Sequence, residues 1–236
     1  MRKTLLTGLV AASLGLSTLA QAATLIVDTG PPSNDWPAHF VGGTGLDGMI
    51  SQWLAGRFTL DQAYDIQAMQ GYLAVNAAGE VLVTIYSDHL NSPDTALFSK
   101  TFTSEPNQSP GFYGWQGTTG TSGHLDAGTY WIAFGAPDGS SFQGGMGTSD
   151  LMAPVMAAEG YRVNMGGGQG WSDWWVAPPD SGLGVYARIY AEAVPEPETW
   201  ALWLAGLGVL GTVVRRRTPP PGHNDTRHFY DTMRST

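Results

Sequence analysis

The sequence predicts an all-β fold, a two-sheet sandwich of the jelly-roll type, over residues 23–193. Short segments in this region alternate apolar and polar residues with the period of a strand. Clusters of Gly, Pro, Asn and Asp separate these segments, as turns do. No window of this region that is long enough for a helix keeps a clean helical period. Ser149–Gly160 comes closest, and Pro154 interrupts it. The nine Trp, nine Tyr and eight Phe indicate a packed core, because disordered chains are poor in aromatic residues.

About eight segments have the pattern of strands. In chain order they are Thr24–Asp28, Leu54–Leu60, Ile66–Val75, Glu80–Ser87, Ala96–Thr103, Phe112–Gln116, Gly128–Phe134 and Gly184–Glu192. Glu80–Ser87 alternates most clearly, and its Val81, Val83 and Ile85 fall on one face. The pattern leaves the strand order open.

The N-terminus, residues 1–22, has the three parts of a secretory signal peptide. Met-Arg-Lys is a positive start, an apolar run extends from Thr4 to Leu19, and Ala20-Gln21-Ala22 is a small-x-small cleavage site. We therefore expect export and cleavage after Ala22. The chain has no cysteine, which excludes disulfides, thiolate metal sites and cysteine nucleophiles.

The charge of the predicted domain is strongly negative. Between Ala23 and Glu198 the sequence has 18 Asp and Glu and four basic residues, a formal charge of −14. Those four basic residues are Arg57, Lys100, Arg162 and Arg188. Nucleic acid is not an expected partner, because phosphate contacts need clustered Lys and Arg.

The C-terminal part, residues 194–217, combines an extended motif, an apolar segment and a basic cluster. The motif is Val194, Pro195, Glu196 and Pro197, and the basic cluster is Arg215, Arg216 and Arg217. The uncharged residues 200–214 between them predict a short transmembrane helix. Fifteen helical residues span about 22 Å against about 30 Å for a hydrocarbon core, so insertion requires the arginines to snorkel. The arginines predict a cytoplasmic C-terminus and an external main domain.

Val-Pro-Glu-Pro, a short apolar helix and an arginine cluster resemble the PEP-CTERM sorting signal, which occurs in Gram-negative bacteria that make exopolysaccharide. The resemblance implies recognition by exosortase in the inner membrane, with processing near Pro-Glu-Pro. It implies a periplasmic main domain that then reaches the cell surface or the extracellular matrix. Residues 218–236 read as a polar, disordered tail. An ordinary C-terminal anchor without processing is the alternative.

Four segments of the main region resemble a jelly-roll module found in proteins with interchangeable C-terminal anchors, the choice-of-anchor domains. These segments are Gln52–Leu60, Val83–Asp88, Ala96–Ser99 and Ala127–Phe134. The module is similar in architecture to galactose-binding-type sandwiches. It implies no catalytic residues.

A glycine-rich run followed by tryptophans, residues 166–175, is the candidate binding site. The glycines favour a loop, and the loop presents Trp171, Trp174 and Trp175 with Asp173 between them. Exposed indoles stack on sugar rings, so this loop is a candidate for carbohydrate binding. The alternative is that the rings cap one end of the sandwich core, since Trp is highly buried on average.

Other site patterns are weak or missing. His39, His89 and His124 are scattered and lack zinc-ligand spacing, and no Gly-x-Ser-x-Gly elbow occurs. Gly43–Gly48 has the spacing of a dinucleotide loop without the strand and helix patterns around it. We expect no cofactor and no catalytic residues, although the oxygen-rich loop Asp88–Asp94 is compatible with a structural Ca²⁺.

These observations favour a non-enzymatic, exported and membrane-anchored surface or extracellular-matrix protein that binds exopolysaccharide. The rival hypothesis is a secreted glycan-active hydrolase, since glycoside hydrolysis needs only two suitably spaced carboxylates. A scaffold module without a ligand is the third possibility.

Overall fold

The computed structural model describes a protein that is mostly β-structure, as the sequence predicts. The residues described are 22–32, 39–41, 51–106, 113–147, 153, 155–164, 170–178, 183–195 and 202–210. The chain divides into two compact units, residues 1–194 and residues 195–236.

The first unit contains the strands. Their bounds are β1 Thr24–Asp28, β2 His39–Phe40, β3 Ser51–Leu60, β4 Tyr64–Ala77, β5 Gly79–His89, β6 Ser92–Ser104, β7 Tyr113–Gly117, β8 Gly123–Leu125, β9 Gly128–Gly135, β10 Gln143–Met146, β11 Ala158–Asn164, β12 Trp175–Val176 and β13 Ala187–Ala193.

The strands form two antiparallel sheets. The seven-stranded sheet has the path β1-β13-β4-β10-β2, and β7 and β8 also pair with β4. Both edges of β4 are paired, because Gly71 opposes Ala187 in β13 and Gln116 in β7. The six-stranded sheet has the order β12-β11-β3-β9-β5-β6.

The main hydrophobic core combines side chains from both sheets. The face predicted for β5 is confirmed, since Val81, Val83 and Ile85 are fully buried in this core. A Cβ on Gly71 of one sheet would lie 3.0 Å from the Phe134 ring of the other. The sheets therefore approach closely at this point, and only glycine fits without displacing the ring.

Strands that the sequence pattern missed are short or lie in segments that lack alternation. They are β2, β8, β10, β11 and β12. The seven residues of β11 overlap the window read as closest to helical, yet they pair with β3 from Ala158↔Arg57 to Asn164↔Ser51. Long-range pairing overrides the local pattern there.

The second unit contains a helix over residues 202–210, inside the predicted helix 200–214. Several of its large apolar side chains are exposed, among them Leu202, Trp203 and Leu204. No helix within the described residues has both the length and the hydropathy needed to cross a membrane. Residues 1–21 of the predicted signal peptide and the tail 218–236 lie outside the described residues.

Candidate functional site

The outer face of the six-stranded sheet carries a second apolar cluster. Its buried members are Trp53, Ala55, Tyr86, Trp131 and Ala133. They occupy alternate positions of β3, β5 and β9, and the residues between them face the main core. This face is therefore apolar on the side where a two-layer sandwich usually meets water.

Arg162 of β11 lies in the middle of this face, surrounded by four aromatic rings. Its guanidinium carbon is 4.7 Å from the ring centroid of Trp53 and 4.9 Å from that of Trp174. The centroids of Trp171 and Tyr86 follow at 5.2 Å and 5.9 Å. Each distance is within the range of a cation–π contact. We call Arg162 and these four rings the arginine box.

The segment that carries two of the tryptophans is fastened to the edge of β11. Trp171 forms a β-bridge with Asn164. The Ser172 N–H donates to the Val163 carbonyl at 2.8 Å, and the Val163 N–H donates to Ser172 Oγ at 3.0 Å. Trp171 is thereby held over β11, next to the Arg162 side chain.

The two indoles meet the underlying aromatics edge to face. Trp171 packs against Trp53 with ring centroids 5.9 Å apart and an interplanar angle of 82°. Trp174 packs against Tyr86 at 5.7 Å and 74°. Trp171 and Trp174 are both half-buried.

Trp175 lies on the other face of the same sheet. It opposes Tyr161 across the β12–β11 pair and packs on that ring at a centroid distance of 4.9 Å. Tyr161 in turn opposes Leu54, a residue of the main core, whereas its neighbour Arg162 faces outward. Asp173 is exposed, and its carbonyl accepts a hydrogen bond from the Ser172 hydroxyl. The structure thus brings Trp171 and Trp174 together and separates Trp175 from them.

The sequence pattern does not single out Arg162, Trp53 and Tyr86, which contact the two indoles. Arg162 stands out in the sequence only as one of four basic residues in the domain. The rarity of basic residues does not identify Arg162 as a site residue. The alternation of residues does not predict β11, and the register that places Arg162 beside Trp53 comes from tertiary pairing.

Two N–H groups in the box have no hydrogen-bond acceptor. Arg162 Nε and Trp53 Nε1 are both buried and unpaired in the described part of the chain. Arg162 Nη2 donates to Tyr86 Oη at 3.2 Å. Burial raises the pKa of Tyr86, and the charge of Arg162 together with hydrogen bonds offsets part of that increase.

The loop considered for calcium has its first carboxylate already engaged. Arg57 Nε and Trp131 Nε1 both donate to Asp88 Oδ1, at 2.8 Å and 2.7 Å. Asp94 accepts a hydrogen bond from the Thr95 hydroxyl. Among the described residues, no group of three or more His, Cys, Asp or Glu side chains is arranged to hold a metal ion.

Two carboxylates share one partner at the surface. Asp65 lies 2.8 Å from His124 Nδ1, and Asp126 lies 3.4 Å from His124 Nε2. The hydrogen bond with Asp65 raises the pKa of His124, and the contact with Asp126 adds to this effect. Asp65 and His124 also line an open cleft.

The predicted sorting motif begins directly after β13. The Val194 N–H donates to the Ala63 carbonyl at 3.0 Å, so the chain remains attached to the sheet up to this residue. Pro195 is described, whereas Glu196, Pro197 and the arginines at 215–217 lie outside the described residues.

Residues 193–217 match the PEP-CTERM protein-sorting motif. The chain is thus a two-sheet β domain followed by a PEP-CTERM signal, a combination that supports an exosortase-sorted protein. For such a protein the motif implies export and membrane anchoring through sorting. No curated protein matches the chain.

Proposed function

We propose that this chain is a non-enzymatic surface or extracellular-matrix protein whose β domain binds exopolysaccharide through Trp171 and Trp174. The observation that carries the proposal is the arginine box, which holds two half-buried indoles against a sheet. Indole rings bind sugars by stacking on the C–H face of a pyranose. Because the rings are fixed before the ligand arrives, little side-chain entropy is lost on binding.

The sorting signal supplies the setting for this activity. In this proposal the chain is exported in a Gram-negative bacterium and held in the inner membrane by the apolar segment before Arg215. Exosortase then processes it near Pro-Glu-Pro, and the acidic domain reaches the surface or the matrix. The low content of basic residues supports a carbohydrate rather than a nucleic acid as the partner.

Affinity electrophoresis in gels that contain the producing organism's exopolysaccharide tests the binding. We expect Trp171→Ala and Trp174→Ala each to weaken retention by about tenfold, which corresponds to about 1.4 kcal/mol. Trp175→Ala is the matched control, since this exposed indole faces the other side of the sheet. Circular dichroism checks the fold of each variant. If Trp171→Ala and Trp174→Ala migrate as the wild type does, binding through these rings is ruled out.

The rival function, a glycan-active hydrolase, has one observation in its favour. Asp65 and Asp126 are brought together around His124, and Asp65 lines the adjoining cleft. Release of reducing ends from the exopolysaccharide by the wild type, and its loss in Asp65→Asn, would establish the hydrolase in place of the binding protein.

A further inference from the structure

Arg162 differs from the other two arginines of the domain in having no carboxylate partner among the residues that the structure describes. Arg57 pairs with Asp88 at 2.8 Å, and Arg188 pairs with Asp28 at 3.0 Å. In the part of the chain that the structure describes, Arg162 forms no ion pair and makes its contacts with aromatic rings. Among the described residues, its positive charge is therefore met by ring quadrupoles and by the Tyr86 hydroxyl, which attract a cation less strongly than a carboxylate does.

The unpaired donors next to this charge add a second, independent observation. Trp53 is 5% exposed, and its Nε1–H has no acceptor among the described residues. Trp53 and Arg162 are directly opposed across the β3–β11 pair, and Arg162 Nε also lacks an acceptor. A buried donor left unpaired is unfavourable, so the box favours a ligand that brings oxygen acceptors.

We infer that the arginine box recognises the carboxylate of an acidic sugar, so that the polysaccharide bound by this domain contains uronic acid residues. The planar guanidinium matches a carboxylate by two parallel hydrogen bonds. Trp171 and Trp174 flank the guanidinium and take the sugar ring that carries the carboxylate. This inference rests on the proposed function, because it names the chemical class of the same ligand.

The negative charge of the domain acts against an anionic polymer at long range. The formal charge between Ala23 and Glu198 is −14. At 0.15 M salt the Debye length is about 8 Å, so the repulsion from distant carboxylates is largely screened. A hydrogen-bonded contact of about 3 Å inside the box is screened much less. We therefore expect binding to be observed at physiological salt rather than at low salt.

The test compares two forms of one polymer, polygalacturonate and the same material after chemical reduction of its carboxylates to primary alcohols. Binding of the purified full chain in mild detergent is followed by tryptophan fluorescence at 0.15 M salt. We expect at least tenfold tighter binding of the acidic form. Arg162→Gln should remove this preference. Arg188→Gln is the matched control, because Arg188 also lies over an indole, 4.0 Å from the Trp115 ring, yet has a carboxylate partner.

Each result decides a different question. Equal binding of the two forms by the wild type overturns the carboxylate inference and leaves polysaccharide binding standing. Loss of both forms in Arg162→Gln without any wild-type preference makes Arg162 a support for the indoles, and also overturns the inference. Binding of neither form, together with no retention in exopolysaccharide gels, removes the proposed function itself.

Discussion

At the scale of single residues, Glu159 of β11 is an unusual carboxylate because it is buried without a positive partner among the described residues. It is 2% exposed, and it accepts hydrogen bonds from four backbone N–H groups. The donors are Ala153, Leu183, Gly184 and Val185, at 2.7–3.2 Å. One side chain thus holds two segments, one before β11 and one before β13. Neither segment has regular secondary structure at the donor residues.

We expect Glu159→Ala to lower the free energy of unfolding by about 3 kcal/mol or more, because each buried N–H left without an acceptor costs about 1–3 kcal/mol. Glu159→Gln should lower the free energy of unfolding by less, since its amide keeps one oxygen acceptor. Urea unfolding at neutral pH measures both. Glu80→Ala, at an exposed glutamate, is the control and should stay within about 0.5 kcal/mol of the wild type. Equal stability of Glu159→Ala and Glu80→Ala would contradict this role.

His124 predicts a pH effect of defined sign. Its pKa in the folded state is raised above 6.5, first by the hydrogen bond with Asp65. The stabilisation is therefore fully present below pH 6.5 and is lost as the pH rises through the folded-state pKa. As the pH rises through this pKa, the free energy of unfolding of the wild type should decrease relative to that of Asp65→Asn. NMR titration checks the cause directly: a His124 pKa at or below 6.5 in the wild type would refute it.

At this scale the sequence indicates the tryptophans but not their arrangement. The glycine-rich run indicates a loop, and residues 166–169 of that run lie outside the described residues. Trp171 forms a β-bridge with Asn164, and Trp174 lies in a described segment without regular secondary structure. Trp175, however, is part of β12 and faces the other way. That difference depends on pairing with β11, which no local pattern encodes.

At the scale of elements, β6 is the long edge strand of the six-stranded sheet. It has 13 residues and pairs with β5 along one side, and it ends the sheet in the described part of the chain. Long edge strands are prone to pair with other chains, and a lysine on the edge opposes such pairing. Lys100 is exposed and opposes Val83, a residue of the main core, so its charge belongs to the core-facing side of the edge.

We expect Lys100→Val to make the domain self-associate, because the substitution removes a charge that a second copy would have to bury. Sedimentation over a range of concentrations should show an increase in mass that the wild type lacks. Lys100→Glu is the matched variant. Its mass in sedimentation should not increase with concentration, since it keeps a charge at the same position. Association of Lys100→Glu to the same extent would show that the charge is not what protects the edge.

The predicted elements were correct where the residues alternate over a long stretch. The described bounds of β1 are those predicted, and β5 and β9 extend their predicted segments by only a few residues. The pattern failed for β11, where Gly160 and the buried Glu159 break the alternation. Short strands such as β2 and β12 contain too few residues for any period to be read.

At the scale of the whole molecule, the chain combines an acidic two-sheet domain with a sorting signal. The sequence predicts both parts. Alternating residues indicate the strands of the domain, and a sorting motif is itself a linear pattern. The arginine box is different in kind, since it assembles residues from β3, β5, β11 and the segment before β12. The sorting signal indicates where the protein goes, and the arginine box on one sheet face supports a specific hypothesis about the ligand it binds there.

The most direct test of the central claim, that this chain is exported and sorted through its C-terminal motif, is the intact mass of the protein recovered from cell fractions with and without exosortase. With exosortase, we expect a mature chain that begins at Ala23 and has lost the residues beyond the Pro-Glu-Pro motif, in the surface or extracellular fraction. Without it, the basic cluster should still be attached and the protein should stay with the inner membrane. Recovery of the intact 236-residue chain from the cytosol in both strains would contradict the account.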